Sequence, residues 1–530
     1  MPVRTSKQSK FFEWGFLGAG ALVIIVTRWL LKSQYLFHWD SIQFALAMNE
    51  FDVSRHQPHP PGYIIYVWLG RLFSNFTDDP NVALIALGIL ASVAGLAIIF
   101  YLTKSAFSQS AAYIAALLYV FNPLVWFHGL VAEVYVVEMS LVLVFVWLAH
   151  RYYRSGRLAE LMGMVVTLGV LGGVRQSAEV VMVPLLVFVM WRQRATVGRW
   201  VVTVAGLLAI NLAWFIPAVA LSGGWSQYWL ALTTLTQATV VHEYITARWD
   251  ALINNVASMV TVLKQSFWAG WLVLLAAVIP FVAPESRARY RVDWQQFWFW
   301  TLAIAPGVLI MPLILMRNPG YILSVATLLL VVASGAILFV AKVVGQWQAN
   351  WLRPVGILIA ALVLATQVGS FFTLKFSSFY YLSASLDSVR KVDAYADDIM
   401  QTLRREFTPE DSVIWMPGDY VFFGVRHFQY YLPEFEIYAF APPSFVQTST
   451  DTPVWHVRGS EVSEFISTMN IGPDVRYLIQ ARETFQTQGH QLVLDTQGGH
   501  QLIYYDLDDP ETVAIFANDS RFNIRRGSDE

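Results

Sequence analysis

The residues equipped for chemistry crowd into one stretch near the N-terminus. They run from His38-Trp39-Asp40-Ser41 through Glu50, Asp52, Arg55, His56 and His59 to Pro60-Pro61-Gly62-Tyr63. Carboxylates and imidazoles take up and release protons, and a positioned carboxylate can deprotonate a hydroxyl. Each residue also has a plain structural use. Asp40 is of a type favoured at helix N-caps and could cap a helix beginning at Ser41. The prolines fix an extended entry, with Pro61 in the first turn of the next helix. Histidines at a wet interface are ordinary surface residues. His56 and His59 are candidates for holding an acceptor or a metal, but with a spacing of three and proline between them they lack the helical geometry of a zinc motif.

The elements that must hold this cluster belong to a membrane protein. Of 530 residues 56% are hydrophobic and only 14% charged, against about 25% charged in soluble chains, and the mean hydropathy is +0.49. The net charge of -2 gives no basic field for nucleic acid, which is excluded as a partner. The absence of cysteine removes disulfides, thiolate zinc sites and a cysteine nucleophile. The start, MPVRTSKQSKFFEWG, is basic like a signal peptide, but the run Trp14 to Leu31 is long enough to span and has no clear small-residue cleavage site, so it reads as an uncleaved first span.

Apolar runs of spanning length recur to about Leu374: Trp14–Leu31, Val82–Leu102, Ala111–Phe127, Glu133–Ala149, Leu158–Val174, Ser177–Trp191, Val201–Leu221, Ser266–Val282, Phe297–Met316, Tyr321–Val343 and Val355–Phe372. With about eleven spans, the cations of Arg4 to Lys10, Lys104, Arg151 to Arg157, Arg192 to Arg199 and Arg287 to Arg291 all fall inside, and the C-terminus falls outside. Tyr63 to Phe73 is apolar but too short to cross and reads as lying at the outer interface. The outer loops 32–80 and 222–256 read as interfacial helices over the bundle.

From about Leu386 the pattern changes. A charged helical stretch, SVRKVDAYADDIMQTLRREF, leads to VIWMP, then FGVRHFQYYLP, then the strand candidates EIYAF, RYLIQ, QLVLD and QLIYYDL. The expected architecture is a polytopic α-helical membrane domain over 1–375 followed by an extracytoplasmic α/β domain over 376–530. No glycine-rich phosphate loop is present in that domain.

An isolated carboxylate beside a span, followed some twenty residues later by HPPGY and an aromatic interfacial helix, resembles the GT-C glycosyltransferases. The branch concerned contains the protein O-mannosyltransferases and aminoarabinose transferases. Further similar motifs are Ala132-Glu133-Val134-Tyr135, Gly173-Val174-Arg175-Gln176 and Asn318-Pro319-Gly320-Tyr321. Ser41 stands where typical O-mannosyltransferases carry a glutamate after the aspartate.

This resemblance implies transfer of a sugar, with inversion, from a polyprenyl-phosphate donor to an acceptor hydroxyl at the outer face of what would be a bacterial cytoplasmic membrane. A phosphate leaving group needs positive charge and no general acid, whereas the acceptor hydroxyl needs a base, the role given to Asp40. Glu133 is the second carboxylate, orienting the acceptor or holding a divalent metal (Mg, Mn or Zn) with Asp40; a metal is the one cofactor left open. Arg175 is the best placed phosphate binder, with Arg317 and Arg28 behind it. His38, His56, His59, Tyr63 and Tyr321 are the substrate-contact candidates, and the acceptor is a lipid, a glycan or a protein.

The plainer readings are that Glu133 is an interface residue and that Arg175 pairs with Glu179 on one helical face, although Gly172-Gly173 argues for a broken helix there. A secondary transporter is the rival from another class. Transporters place charges in broken helices near the midplane and show paired halves, whereas here the polar residues gather in outer loops. A non-catalytic lipid-carrier binding protein is a third reading.

Overall fold

The computed structural model describes residues 6–236, 249–268, 270–271, 274–275, 293–314, 318–347, 352–376, 383–416, 423–440, 454–459, 462–480 and 490–525. In hydrocarbon no water is present to bond backbone groups, so apolar runs become helices. The first half gives α1 (Ser6–Leu31), α2 (Trp39–Asn49), α3 (Ile64–Phe73), α4 (Pro80–Ala106), α5 (Gln109–Val120), α6 (Pro123–His128), α7 (Tyr135–Ser155), α8 (Leu158–Val174), α9 (Gln176–Arg192) and α10 (Val197–Leu221). Then follow α11 (Trp225–Thr236), α12 (Trp249–Phe267) and the helices Trp294–Ile314, Leu323–Trp347 and Leu352–Thr373.

Among the described residues six helices are long and apolar enough to cross a membrane, and three more apolar helices are shorter. The chain is an integral membrane protein. The expected run Ala111–Phe127 is two helices, because Asn122 accepts the N–H groups of Leu124 (3.0 Å) and Val125 (3.3 Å) and Pro123 opens a new helix. Most of the expected span Ser266–Val282 lies outside the described residues.

Chain contacts divide the molecule into two compact units. One comprises residues 1–32, 63–218 and 248–388. In it α4 packs on α5 and α7, and α7 packs on α8. Its short apolar helix α3, expected at the interface, starts at Ile64 with Tyr63 as N-cap. Pro61 therefore precedes the helix and does not sit in its first turn.

The other unit comprises residues 33–62, 219–247 and 389–530. Its sheet has seven strands in the order β4-β3-β2-β1-β6-β8-β7, with β1 (Ser412–Met416), β2 (Glu436–Phe440), β3 (Val454–Arg458), β4 (Val462–Ile466), β6 (Tyr477–Gln480), β7 (Leu492–Asp495) and β8 (Gln501–Asp506). β1 runs parallel to β2 and to β6, and the remaining pairings are antiparallel. A small separate pair joins β5 (Met469–Ile471) to β9 (Phe522–Ile524). Ala396, Ile399, Met400 and Leu403 of the helix Leu386–Glu406 cover one sheet face in a core with Ile414, Met416 and Ile437.

Trp39 belongs to this same core. Several bonds hold its segment there. Ser33 Oγ and the Gln34 N–H donate to the Asp393 carboxylate at 2.6 and 3.0 Å. Tyr35 donates to Asp397 at 2.6 Å, and Tyr431 takes the Leu36 N–H at 2.8 Å. Arg426 donates to the Arg55 carbonyl at 2.7 Å with its guanidinium 4.5 Å from the Trp455 ring. The loop that carries Asp40 is thus folded as part of the C-terminal unit. Trp39→Ala should cost about 3–5 kcal/mol of that unit's stability, read as new protease cleavage within residues 33–62 at temperatures the native protein resists.

Candidate functional site

Asp40 lies in the first turn of α2, where a helix N-terminus favours negative charge. It is not the cap. His38 takes that role: its Nδ1 accepts the Asp40 N–H at 3.1 Å, while Ser41 Oγ accepts the His38 N–H at 3.3 Å. The helix accordingly starts two residues before the expected Ser41. The Asp40 carboxylate is 20% exposed, with Oδ2 3.6 Å from His38 Nδ1 and Oδ1 3.5 Å from His59 Nδ1. One turn along α2, the fully buried Gln43 accepts both the His59 N–H (2.8 Å) and the His59 Nδ1–H (2.7 Å) through its single Oε1. Sequence reasoning passed over Gln43, since a lone glutamine in an apolar helix carries no motif.

The loop between these residues closes on itself. Asp52 caps the short turn Val53–Arg55 through the Ser54 N–H (2.8 Å), and its backbone pairs with Gln57. Arg55 pairs with Glu50 at 2.9 Å. Gly62 adopts φ +112°, and a Cβ there would lie 3.0 Å from Val53 and 3.3 Å from Phe51, so only glycine suits the turn. Tyr228 of α11 donates to the Pro61 carbonyl at 2.8 Å, and Ser222 accepts the Val53 N–H at 2.9 Å. His56 holds the left-handed C-cap of the short turn. Burial of its ring, with the charge of Arg426 nearby, pushes its pKa down to about 3, so it stands as a neutral imidazole.

In the other unit the expected residues form a buried polar layer. Glu133 is 2% exposed, with Oε2 2.8 Å from His128 Nδ1 and Oε1 accepting the Asn318 amide at 2.9 Å. Asn318 Oδ1 in turn accepts the Gly320 N–H at 2.8 Å. Arg175 occupies the break between α8 and α9 that Gly172-Gly173 led one to expect. Its partner is Glu138 at 2.6 Å and not Glu179, which accepts the Asn211 amide at 2.8 Å. The Arg175 guanidinium lies 4.9 and 4.7 Å from the rings of Tyr135 and Tyr321, both within cation–π range. Ser324 donates to the second Glu138 oxygen at 3.1 Å. Gly320 is required by close approach, because a Cβ would fall 2.2 Å from the Tyr135 ring.

Glu138 is the functional candidate that sequence reasoning missed. Its signal was available: an acid inside an apolar run is expensive unless answered. A small cavity of about 20 Å³ opens beside Glu138, Tyr321 and Ser324, lined further by Met182, Gly307 and Met311.

Arg28 is fully buried in α1, donating to the Val120 carbonyl at 2.7 Å and to Thr27 at 2.9 Å, with its guanidinium 4.7 Å from the Trp126 ring. Among the described residues no carboxylate pairs with it. Arg317 lies outside the described residues. Both Glu133 oxygens already face donors, and the two imidazole Nδ1 atoms beside Asp40 are engaged by the Asp40 N–H and by Gln43. Among the described residues no group of three or more potential ligands is arranged to hold an ion.

Two outcomes follow. Removing one member of a buried ion pair costs about 3–5 kcal/mol, so Glu138→Ala should lower the melting temperature of the purified protein markedly, and adding Arg175→Met should recover part of the loss in a double-mutant cycle. Because the His56 pKa is depressed in the folded state, His56 contributes stability that is present above about 6.5 and lost as pH falls toward about 3. Thermal melts across that range should therefore decline less steeply in His56→Gln than in the native chain.

Comparison with known proteins bears on this arrangement. Residues 58–221 match the family model described as dolichyl-phosphate-mannose-protein mannosyltransferase. No curated protein matches the chain. Among solved structures, ArnT from Cupriavidus metallidurans in the apo state is similar over 77% of this chain and 82% of its own, at 13% identity and a TM-score of 0.50. The Archaeoglobus fulgidus oligosaccharyltransferase tethered with an acceptor peptide is similar over 90% of this chain and 70% of its own, at 12% identity and a TM-score of 0.52. At such identities the likeness is one of fold. The chain is thus an integral membrane protein, mostly helical with a C-terminal β-sheet region, that shares its fold with these two proteins, and its segment 58–221 is similar to a family described as dolichyl-phosphate-mannose-protein mannosyltransferase.

Proposed function

We propose that the chain is a glycosyltransferase that takes a sugar from a polyprenyl-phosphate donor and passes it to an acceptor hydroxyl at the outer face of a bacterial cytoplasmic membrane. The observation that carries this reading is the Asp40 carboxylate: partly exposed, in the first turn of a capped helix, and flanked by two imidazoles at 3.5 and 3.6 Å. The match of residues 58–221 to a family described by a dolichyl-phosphate sugar supports the donor class and a protein among the acceptors.

In the proposed step the acceptor O–H gives its proton to Asp40 as its oxygen attacks the anomeric carbon. The carbon–oxygen bond to phosphate breaks on the opposite face, and polyprenyl phosphate leaves with the electron pair. One base and no protein nucleophile means a single displacement, hence inversion. Asp40 does the chemistry, while His38, His59 and Tyr63 stay candidates for holding the acceptor.

Of the described cations Arg28 suits the phosphate better than Arg175, whose charge is answered by Glu138. Arg317 stays a candidate on sequence grounds. Glu133, held by His128 and Asn318, is read as orienting an acceptor or supporting the polar layer. Cation-bearing loops inside and the C-terminal unit outside is the orientation proposed.

Transfer from a short-chain polyprenyl-phosphate sugar by the detergent-extracted protein should fall by about 10²- to 10⁴-fold in Asp40→Asn, with expression and melting temperature unchanged. Full activity in that variant removes the mechanism. Arg28→Gln should raise KM for the lipid donor more than it lowers kcat.

A further inference from the structure

Gln43 shows why the two histidines beside Asp40 are unlike each other. A backbone N–H can only donate. The His59 N–H meets Gln43 Oε1 at 2.8 Å, which fixes that atom as the oxygen, so the His59 Nδ1 lying 2.7 Å from the same oxygen must carry hydrogen. The reverse holds at His38, where the Asp40 N–H donates to Nδ1 at 3.1 Å; that nitrogen is a lone pair and the His38 proton sits on Nε2. The His59 Nδ1–H thus faces Asp40 Oδ1 at 3.5 Å as well as Gln43, whereas Asp40 Oδ2 faces the His38 lone pair at 3.6 Å.

Resting on the reading of Asp40 as base, we infer that Gln43 is a positioning residue that locks His59 in the Nδ1–H tautomer, so that the side of the ring turned toward Asp40 Oδ1 carries a hydrogen and not a lone pair, and Oδ2 is left as the oxygen that receives the acceptor's proton. The chain keeps Gln43 fully buried although its Nε2 has no hydrogen-bond partner among the described residues, a loss that mutational series put at about 1–3 kcal/mol. A leucine would fill the space without that cost, and what it would lack is the oxygen.

The test reads the rings directly and does not depend on turnover. In the full-length protein labelled with 15N-histidine in lipid nanodiscs, with assignments from His59→Gln and His38→Asn, ring nitrogen shifts should give His59 protonated at Nδ1 and His38 at Nε2. Gln43→Leu should move the His59 proton to Nε2, and Gln43→Glu, which retains an acceptor oxygen, should keep it on Nδ1. Transfer kcat should fall by between about 10- and 100-fold in Gln43→Leu, the scale of a small misplacement of a reacting group, with KM for donor and acceptor unchanged. Native His59 protonated at Nε2, or no change of tautomer in Gln43→Leu, would overturn the inference, as would a change of tautomer with kcat intact. Full transfer by Asp40→Asn with both tautomers as expected would overturn the base assignment and leave the ring geometry standing.

Discussion

Hydrocarbon offers a buried charge nothing to lean on, and each ion enclosed among the spans must be answered by the protein itself. Arg175 and Glu138 show the form the answer takes. The cation meets a carboxylate at 2.6 Å and lies within reach of two tyrosine rings, while the second carboxylate oxygen is met by Ser324. Glu133 is answered in the same way by a histidine and an asparagine. These groups are drawn from α6, the stretch between α6 and α7, α7 itself, the α8–α9 break, the turn before Leu323 and the first turn of the helix that follows. Arg28 stands apart, its charge met by a carbonyl, a hydroxyl and a ring.

In the loop that holds Asp40 the constraint is order. A loop of thirty residues with three histidines and three carboxylates has no fixed geometry of its own. It acquires one by contributing Trp39 to the core of the C-terminal sheet unit, and through hydrogen bonds to Asp393, Asp397, Tyr431 and Arg426. Catalytic candidates on loops are useful only when a rigid scaffold sets them, and here the scaffold is a parallel-centred sheet whose own strands contribute none of the proposed acid–base residues.

Much of the helical framework was legible because hydropathy is a local signal. The apolar runs, the short helix after HPPGY and the break at Gly172-Gly173 are all readable from neighbouring residues. The Asn122-Pro123 pair was equally local, and it divides what composition alone reads as one span. Strands β1, β2, β6, β7 and β8 announced themselves by alternation, whereas β3 and β4, with polar residues at His456, Ser463 and Glu464, did not. Partner choice was the illegible part. Nothing within one turn of Arg175 reveals that it bonds Glu138, 37 residues away, in preference to Glu179, four away. The capping role of His38 was hidden for a different reason: aspartate is the commoner cap, and only the geometry shows the imidazole displacing it.

The union of residues 33–62 with the C-terminal unit has a consequence for biosynthesis. Ser33 waits for a partner 360 positions later and Leu36 for one 391 positions later. At a ribosomal rate of about 5–20 residues per second, that interval is on the order of tens of seconds. Throughout it, Trp39 has left the ribosome without the sheet core that will cover it. A nascent chain cut short anywhere before the final strands can thread its spans and still never assemble the loop that bears Asp40, so a prematurely terminated product would be an inserted but incomplete protein, and a natural target for membrane quality control.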